Sequence, residues 1–271
     1  MLAYSSTLRG MPYAEVNGQR IFYQDTGGDG PVVILAHGFL MDRSMFDPQI
    51  EALANDYRMI TWDERGFGQT EFDSQPFTLW DSAKDLLGLM DHLGVDRAVV
   101  GGMSQGGFLS LRAALLAPDR VRALILLDTS STVEAPEVLE QYHQMADTWL
   151  SVGPVDELAS VIADIIIADP AENPKWIAKW QARPKELMRE TSACLFARDD
   201  ITVRLGEITC PAIVVHGTED TSIPMADAEA LANGLARAGP VVKVPGAHAA
   251  NLTHPEPVNE ALRTFLTELP A

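Results

Sequence analysis

A chain of 271 residues that is 46% hydrophobic can bury one large core and sits near the size at which single cores begin to divide. Its formal net charge of −18 repels a phosphate backbone, and with no basic patch to reverse that field nucleic-acid binding is excluded. The longest apolar runs, "VVILA" (32–36) and "ALILL" (123–127), fall far short of the roughly 20 residues of a membrane helix, and Cys194 and Cys210 give neither a disulfide framework nor a metal-ligand spacing. The expectation is a soluble protein of a reducing cytoplasm.

The N-terminal "MLAYSSTLRGMPYAEV" lacks the apolar stretch of a secretory signal. "YAEVNGQRIFYQD" (13–25) is two alternating runs about Asn17-Gly18, the dipeptide of a two-residue hairpin turn. Short apolar runs follow at 32–36, 57–62, 98–102, 123–128, 212–216 and 241–244. Runs that are apolar throughout suit strands covered on both faces, so they predict a mostly parallel sheet. The intervening 45–54, 79–93, 105–117, 224–236 and 255–268 have helical periodicity. The fold class is therefore α/β.

One interval breaks the alternation. From about Thr129 to Leu205 there is no strand-like run, while Met145, Trp149, Trp176, Trp180 and Met188 recur among helix formers, with breaks at Gly153-Pro154, Asn173-Pro174 and Pro184. A structureless loop of that length is improbable in a compact domain. The spacing predicts about four helices forming a lid over 130–204, inserted into a core of 11–129 and 205–271.

Gly102-Met103-Ser104-Gln105-Gly106 is a G-x-S-x-G sequence between an apolar strand and an amphipathic helix, the setting in which a serine stands on a sharp turn as a nucleophile. A serine needs a base within hydrogen-bond reach and a third group to orient that base. Of the six histidines, His248 lies just past the last predicted strand, where it reaches the carboxyl edge of the sheet. His254 reads as a capping or surface group, and His92 and His143 as surface or packing residues. For the acid, Asp220 follows another strand, while Asp128 and Glu219 compete. Asp220 is favoured because Ser104, Asp220, His248 is the order that triads take on this strand-turn-helix scaffold.

An oxyanion hole needs two preorganised donors. The N–H of Gln105 supplies one, and the "AHGFLMD" turn (36–42) the other through Phe39. His37 is expected to hydrogen-bond that loop, with contact to substrate as its alternative role. Asp63 and Arg65 read as structural. Met145, Trp149 and Trp180 are the lid residues proposed for the pocket wall. The basic residues Lys175, Lys179, Arg183, Lys185 and Arg189 read as a solvated face, with carboxylate recognition as the alternative.

Through "HGF" (37–39), "DERGFGQT" (63–70), "GMSQGG" (102–107), "HGTEDTSIP" (216–224) and "GAHAANLTHPE" (246–256), the chain resembles the α/β-hydrolase superfamily along nearly its whole length. Within it, "MPYAEVNGQRIFYQDTG" (11–27), "GLMDHLGVDRAVVGGMSQGG" (88–107) and "PEV" (136–138) are most similar to the 3-oxoadipate enol-lactonase and small carboxylesterase branch, whose lactonases commonly carry methionine where this chain has Gln105. The resemblance also implies that Met11 could be a second start, which leaves residues 1–10 as a flexible N-terminal extension. It implies an esterase or lactonase working through Ser104, Asp220 and His248 without metal or organic cofactor, on a small-molecule ester or lactone. A homodimer stays open. Dehalogenases and epoxide hydrolases of this fold place aspartate where Ser104 stands and are excluded; carbon–carbon bond hydrolases, cofactor-free peroxidases and a non-catalytic binding protein on the same scaffold are the alternatives.

Overall fold

In the computed structural model, which describes residues 13–270, the chain begins with a hairpin. Its strands β1 (Tyr13–Val16) and β2 (Gln19–Asp25) pair antiparallel. Asn17 and Gly18, with φ of 48° and 78°, supply the two positive angles of a turn that matches the twist of both strands. The expected extension at 1–10 and a start at Met11 lie outside the described residues.

The chain then alternates through β3 (Val32–Ala36), α1 (Asp47–Leu53), β4 (Arg58–Trp62), α2 (Leu79–His92), β5 (Ala98–Met103), α3 (Gln105–Leu116) and β6 (Val121–Leu127). Helices α4 (Pro136–Val152), α5 (Asp156–Ile166), α6 (Asn173–Gln181) and α7 (Met188–Phe196) follow. The remainder is β7 (Ala212–Gly217), α8 (Met225–Gly234), β8 (Val242–Val244), α9 (Ala250–Thr253) and α10 (Pro255–Glu268). All strands form one sheet in the order β1-β2-β4-β3-β5-β6-β7-β8, parallel from β4 to β8. No helix of the described residues is long and apolar enough to cross a membrane.

Alternation along each strand sends residues to two separate cores. Val33 and Leu35 pack with α1 and α10 on one face, and Ile34 and Ala36 with α2, α3 and α8 on the other, which is why the central strands β3 (VVILA) and β5 (AVVGGM) are apolar at every position. Register then aligns the strand ends: Ala36 lies opposite Trp62 and Gly102, Met103 opposite Leu127, and Gly217 opposite Val244. The loops that carry His37, Glu64, Ser104, Asp128, Asp220 and His248 therefore leave from one carboxyl edge. A Cβ at Gly102 or Gly106 would run into the Ala36 carbonyl, so glycine at both positions lets β3 and the start of α3 approach closely.

Helices α4 to α7 form a layer inserted between β6 and β7. Its two ends are stitched together: Ile201 N–H donates to the Ser131 carbonyl (3.1 Å), the Ser131 and Thr202 hydroxyls are 2.9 Å apart, and Arg198 donates to the Thr132 carbonyl (3.2 Å). The helical layer ends nearer Phe196 than residue 204, because Ile201, Leu205 and Ile208 already pack into the core beside α8. Two ties fasten α6 to the loop after β3. The Trp180 indole N–H donates to the Leu40 carbonyl (2.7 Å), and the Lys179 ammonium meets the Asp42 carboxylate (2.8 Å).

Candidate active site

Ser104 occupies the step from β5 to α3 with φ 51° and ψ −111°, a left-handed conformation that disfavours side chains with a Cβ. The surroundings over-determine it. Its N–H donates to the Leu127 carbonyl (2.9 Å), and its own carbonyl accepts from Gly107 N–H, Phe108 N–H and the Thr129 hydroxyl (2.8 Å). Among the described residues the Ser104 side chain makes no capping hydrogen bond to α3. The hydroxyl instead lines a pocket shared with His248.

Nδ1 of His248 lies 2.7 Å from Asp220 Oδ2, while Asp220 Oδ1 accepts from the N–H groups of Ser222 (2.8 Å) and Ile223 (3.0 Å). Burial pushes the Asp220 carboxyl up, but His248, the Ile223 N–H and His216 outweigh it and hold the carboxyl below its ordinary range. Of the competing acids, Asp128 is buried beneath the strand ends and accepts from Gly217 N–H (2.7 Å). Burial, then the Asp220 charge, raises its carboxyl well above the usual range. Glu219 is exposed. Geometry therefore brings Asp220, rather than either rival, to His248.

His216, which sequence reasoning passed over, sits behind this pair. Its Nε2 donates to the Ile223 carbonyl (2.9 Å) and lies 3.5 Å from Asp220 Oδ2, and burial lowers its pKa so that it stays neutral. Asp128, His216 and Asp220 bring potential metal-ligand atoms within 4.8 Å of one another. Most of those atoms are already committed to the hydrogen bonds just given, which makes the cluster a buried support for Asp220.

The N–H groups of Phe39 and Gln105 have no protein acceptor among the described residues. Gln105 opens α3, where a first-turn N–H has no intrahelical partner. Phe39 lines the pocket. His37 does not, which corrects its alternative role as a substrate contact: it is fully buried, accepts Glu64 N–H at Nε2 (3.0 Å), and so must carry its proton on Nδ1, which donates to the Gly38 carbonyl (2.8 Å). Burial depresses its pKa to about 4, so the ring is neutral.

The pocket encloses about 820 Å³ including its open mouth. Its wall is largely apolar, built from Met145 and Ile162 of the inserted layer, Met188, Phe196, and Phe108 and Ile223 of the core. Trp149 and Trp180 do not belong to it, contrary to expectation. Both are buried, their rings 6.1 Å apart, and they wedge the layer onto the Leu40 loop, since large aromatics on an amphipathic helix are claimed first by the interface that removes most area from water. His254, His92 and His143 are exposed. Trp180→Phe is expected to lower unfolding free energy by about 1 kcal/mol, because the Leu40 carbonyl loses its donor; urea titration measures the change.

Glu134 contributes a carboxylate to the pocket, and it is paired with the buried guanidinium of Arg198 (2.6 Å), itself stacked on Phe108 at 4.5 Å. Four of the five basic residues named for the layer are engaged elsewhere, and Arg189 does not line the pocket. Lys175 pairs with Glu172, Lys179 with Asp42, Arg183 with the Gly66 carbonyl and Lys185 with the Ser151 carbonyl. No lysine or arginine lines the described pocket.

A family model described as "alpha/beta hydrolase fold" matches residues 31–255. The chain is 30% identical over 276 residues to the "Putative carbamate hydrolase RutD" of Caulobacter vibrioides, covering 96% of this chain and 99% of that one. Among solved structures it is similar to an enol-lactonase from Burkholderia xenovorans (TM-score 0.86, 28% identity, 95% of this chain and 100% of that one). It is likewise similar to a thermophilic esterase from Thermogutta terrifontis (TM-score 0.87, 29% identity, 96% and 98%).

Proposed function

The chain belongs to the alpha/beta hydrolase fold family, and from that premise we propose that it is a serine hydrolase cleaving an uncharged carboxylic ester or lactone with an apolar acyl group. The observation that carries this reading is the pairing of His248 with Asp220 at 2.7 Å in the pocket that Ser104 lines. His248 Nε2 accepts the Ser104 proton as Oγ attacks the carbonyl carbon. Asp220 keeps the other imidazole proton on Nδ1 and stabilises the imidazolium. The tetrahedral oxyanion falls to the free N–H groups of Phe39 and Gln105. His248 then protonates the leaving oxygen, and water, deprotonated by the same imidazole, releases the acid from the acyl-enzyme. No step calls on a metal or organic cofactor.

Substrate class follows from the wall. An apolar cleft with its one carboxylate already neutralised by Arg198 offers no partner to a substrate carboxylate, and leaving that charge unpaired costs several kcal/mol. The same machinery can attack a carbamate carbonyl, and the lining then favours an apolar substituent there too.

A fluorophosphonate probe is expected to label wild type and spare Ser104→Ala. Failure to label wild-type protein would overturn the nucleophile. In a panel of aryl esters, enol-lactones and ring-cleavage diketones, a medium aliphatic acyl ester should exceed its ω-carboxylate analogue by at least about tenfold in kcat/KM. Faster turnover of the anionic analogue would refute the substrate class. EDTA should leave the rate unchanged, and zinc-restored activity after chelation would count against the mechanism.

A further inference from the structure

The side chain of Gln105 has a partner far away in sequence: its Nε2 donates to Glu64 Oε2 at 2.8 Å. Both residues are sealed from solvent, Glu64 at 0% and Gln105 at 1% exposure. The other oxygen of each group, Glu64 Oε1 and Gln105 Oε1, is buried with no partner among the described residues. If the carboxyl were ionised, two acceptors would remain orphaned on groups already joined by one hydrogen bond, a costly state in an apolar interior. One proton on Glu64 Oε1 would make that oxygen a donor toward the orphaned Gln105 Oε1, the one change that can serve both.

We propose that Glu64 is held as a neutral carboxylic acid in a cyclic acid–amide pair with Gln105, and that this pair positions the oxyanion donors. The proposal rests on the reading given above for the N–H groups of Phe39 and Gln105. Glu64 reaches both of them. Its side chain grips Gln105. Its backbone N–H donates to His37 Nε2, and His37 Nδ1–H donates to the Gly38 carbonyl. That carbonyl lies in the same planar peptide unit as the Phe39 N–H, so fixing one aims the other. A single residue after β4 thus ties together two donors from separate loops, and Glu64 acts as a positioning residue.

The electrostatic setting agrees. Burial pushes the Glu64 carboxyl up to about 8 against the opposing pull of the Gln105 amide, and the charges of Asp85 and Asp63 push the same way. Asp63 is held by the N–H groups of Arg43 and Gln69, and burial raises its own carboxyl to about 6. Arg65 is committed to Asp85 through two hydrogen bonds of 2.5 and 2.8 Å. The Cys194 thiol beside Glu64 is kept neutral by burial. Deprotonation near pH 8 would leave Glu64 charged and uncompensated, loosening the pair on the alkaline side.

The test compares wild type with Glu64→Gln and Glu64→Ala, each checked for folding by circular dichroism. Isotope-edited infrared spectra of wild type should show a protonated side-chain carboxyl at pH 7 that titrates away near pH 8 and is missing from Glu64→Gln. With a neutral aryl ester, wild-type kcat should fall on the alkaline side while KM holds. Glu64→Gln retains a cyclic amide pair and should lose that alkaline fall while keeping kcat at pH 7 within about threefold. Glu64→Ala should lose about tenfold or more. Absence of the protonated band, or the same alkaline fall in Glu64→Gln as in wild type, overturns the proposal. Should Glu64→Gln not fold, Gln105→Met takes its place: the band must then titrate at a different pH, and an unchanged midpoint is a refutation. The infrared result is independent of turnover. If Ser104→Ala still hydrolyses ester while the band is present, the functional reading fails and the neutral pair stands.

Discussion

Ser104→Ala is expected to lower kcat by about 10⁴- to 10⁶-fold without unfolding the protein. The loss is large because the attacking atom itself goes, and the residual rate is what the oxyanion donors and the pocket supply on their own. The fold survives because hydrogen bonds from the Ser104 backbone, rather than its hydroxyl, hold the β5–α3 step. A companion variant separates chemistry from strain. Ser104→Gly should be equally inactive, yet about 1 kcal/mol more stable than Ser104→Ala, since φ 51° costs an alanine and not a glycine. Single-turnover kinetics and urea titration read the two effects separately. Near-native turnover in either variant would remove Ser104 from the mechanism.

Asp220→Asn should reduce kcat by about 10⁴-fold. An amide in place of the carboxylate presents the wrong hydrogen-bonding group to Nδ1, so the imidazole takes the tautomer that cannot accept the serine proton, and the imidazolium loses its counter-charge. Asp128→Asn supplies the contrast. Burial and the Asp220 charge already favour a neutral Asp128, and an asparagine oxygen can still accept from Gly217 N–H. Its kcat should therefore stay within about tenfold of wild type. If the two variants exchanged their effects, the acid would be Asp128 and the 2.7 Å contact to His248 would be structural.

The sheet was legible because its strands are buried on both faces. Runs such as 32–36 are apolar at every position and end abruptly at the polar edge, so the expected and observed bounds of β3 coincide. Ser104 was legible for a related reason: glycines at 102 and 106 mark a backbone approach that few other turns require. The inserted layer was harder to read in detail. A helix lying between a pocket and a core is apolar on two sides, and hydrophobic spacing cannot tell Met145, which lines the pocket, from Trp149, which does not. The Glu64–Gln105 pair was invisible for another reason. Its members are 41 residues apart and each passes for a surface residue until topology places both inside. His216 was hidden likewise, its role being set by a carbonyl and a carboxylate that only the fold supplies.

The stitched neck at Ser131, Ile201 and Thr202 has a consequence for how this molecule can change. A segment that departs and returns at one point adds to the rest of the chain only the entropy of closing a loop, which grows by roughly 0.6 kcal/mol per doubling of length. Replacing everything beyond the neck is thus mild for the frame beneath it, provided the anchors at Leu40 and Asp42 find new partners. The four-helix layer has the attachment of an exchangeable cassette: under the proposed function, swapping it would change selectivity for the acyl group and leave Ser104, Asp220 and His248 at the sheet edge untouched.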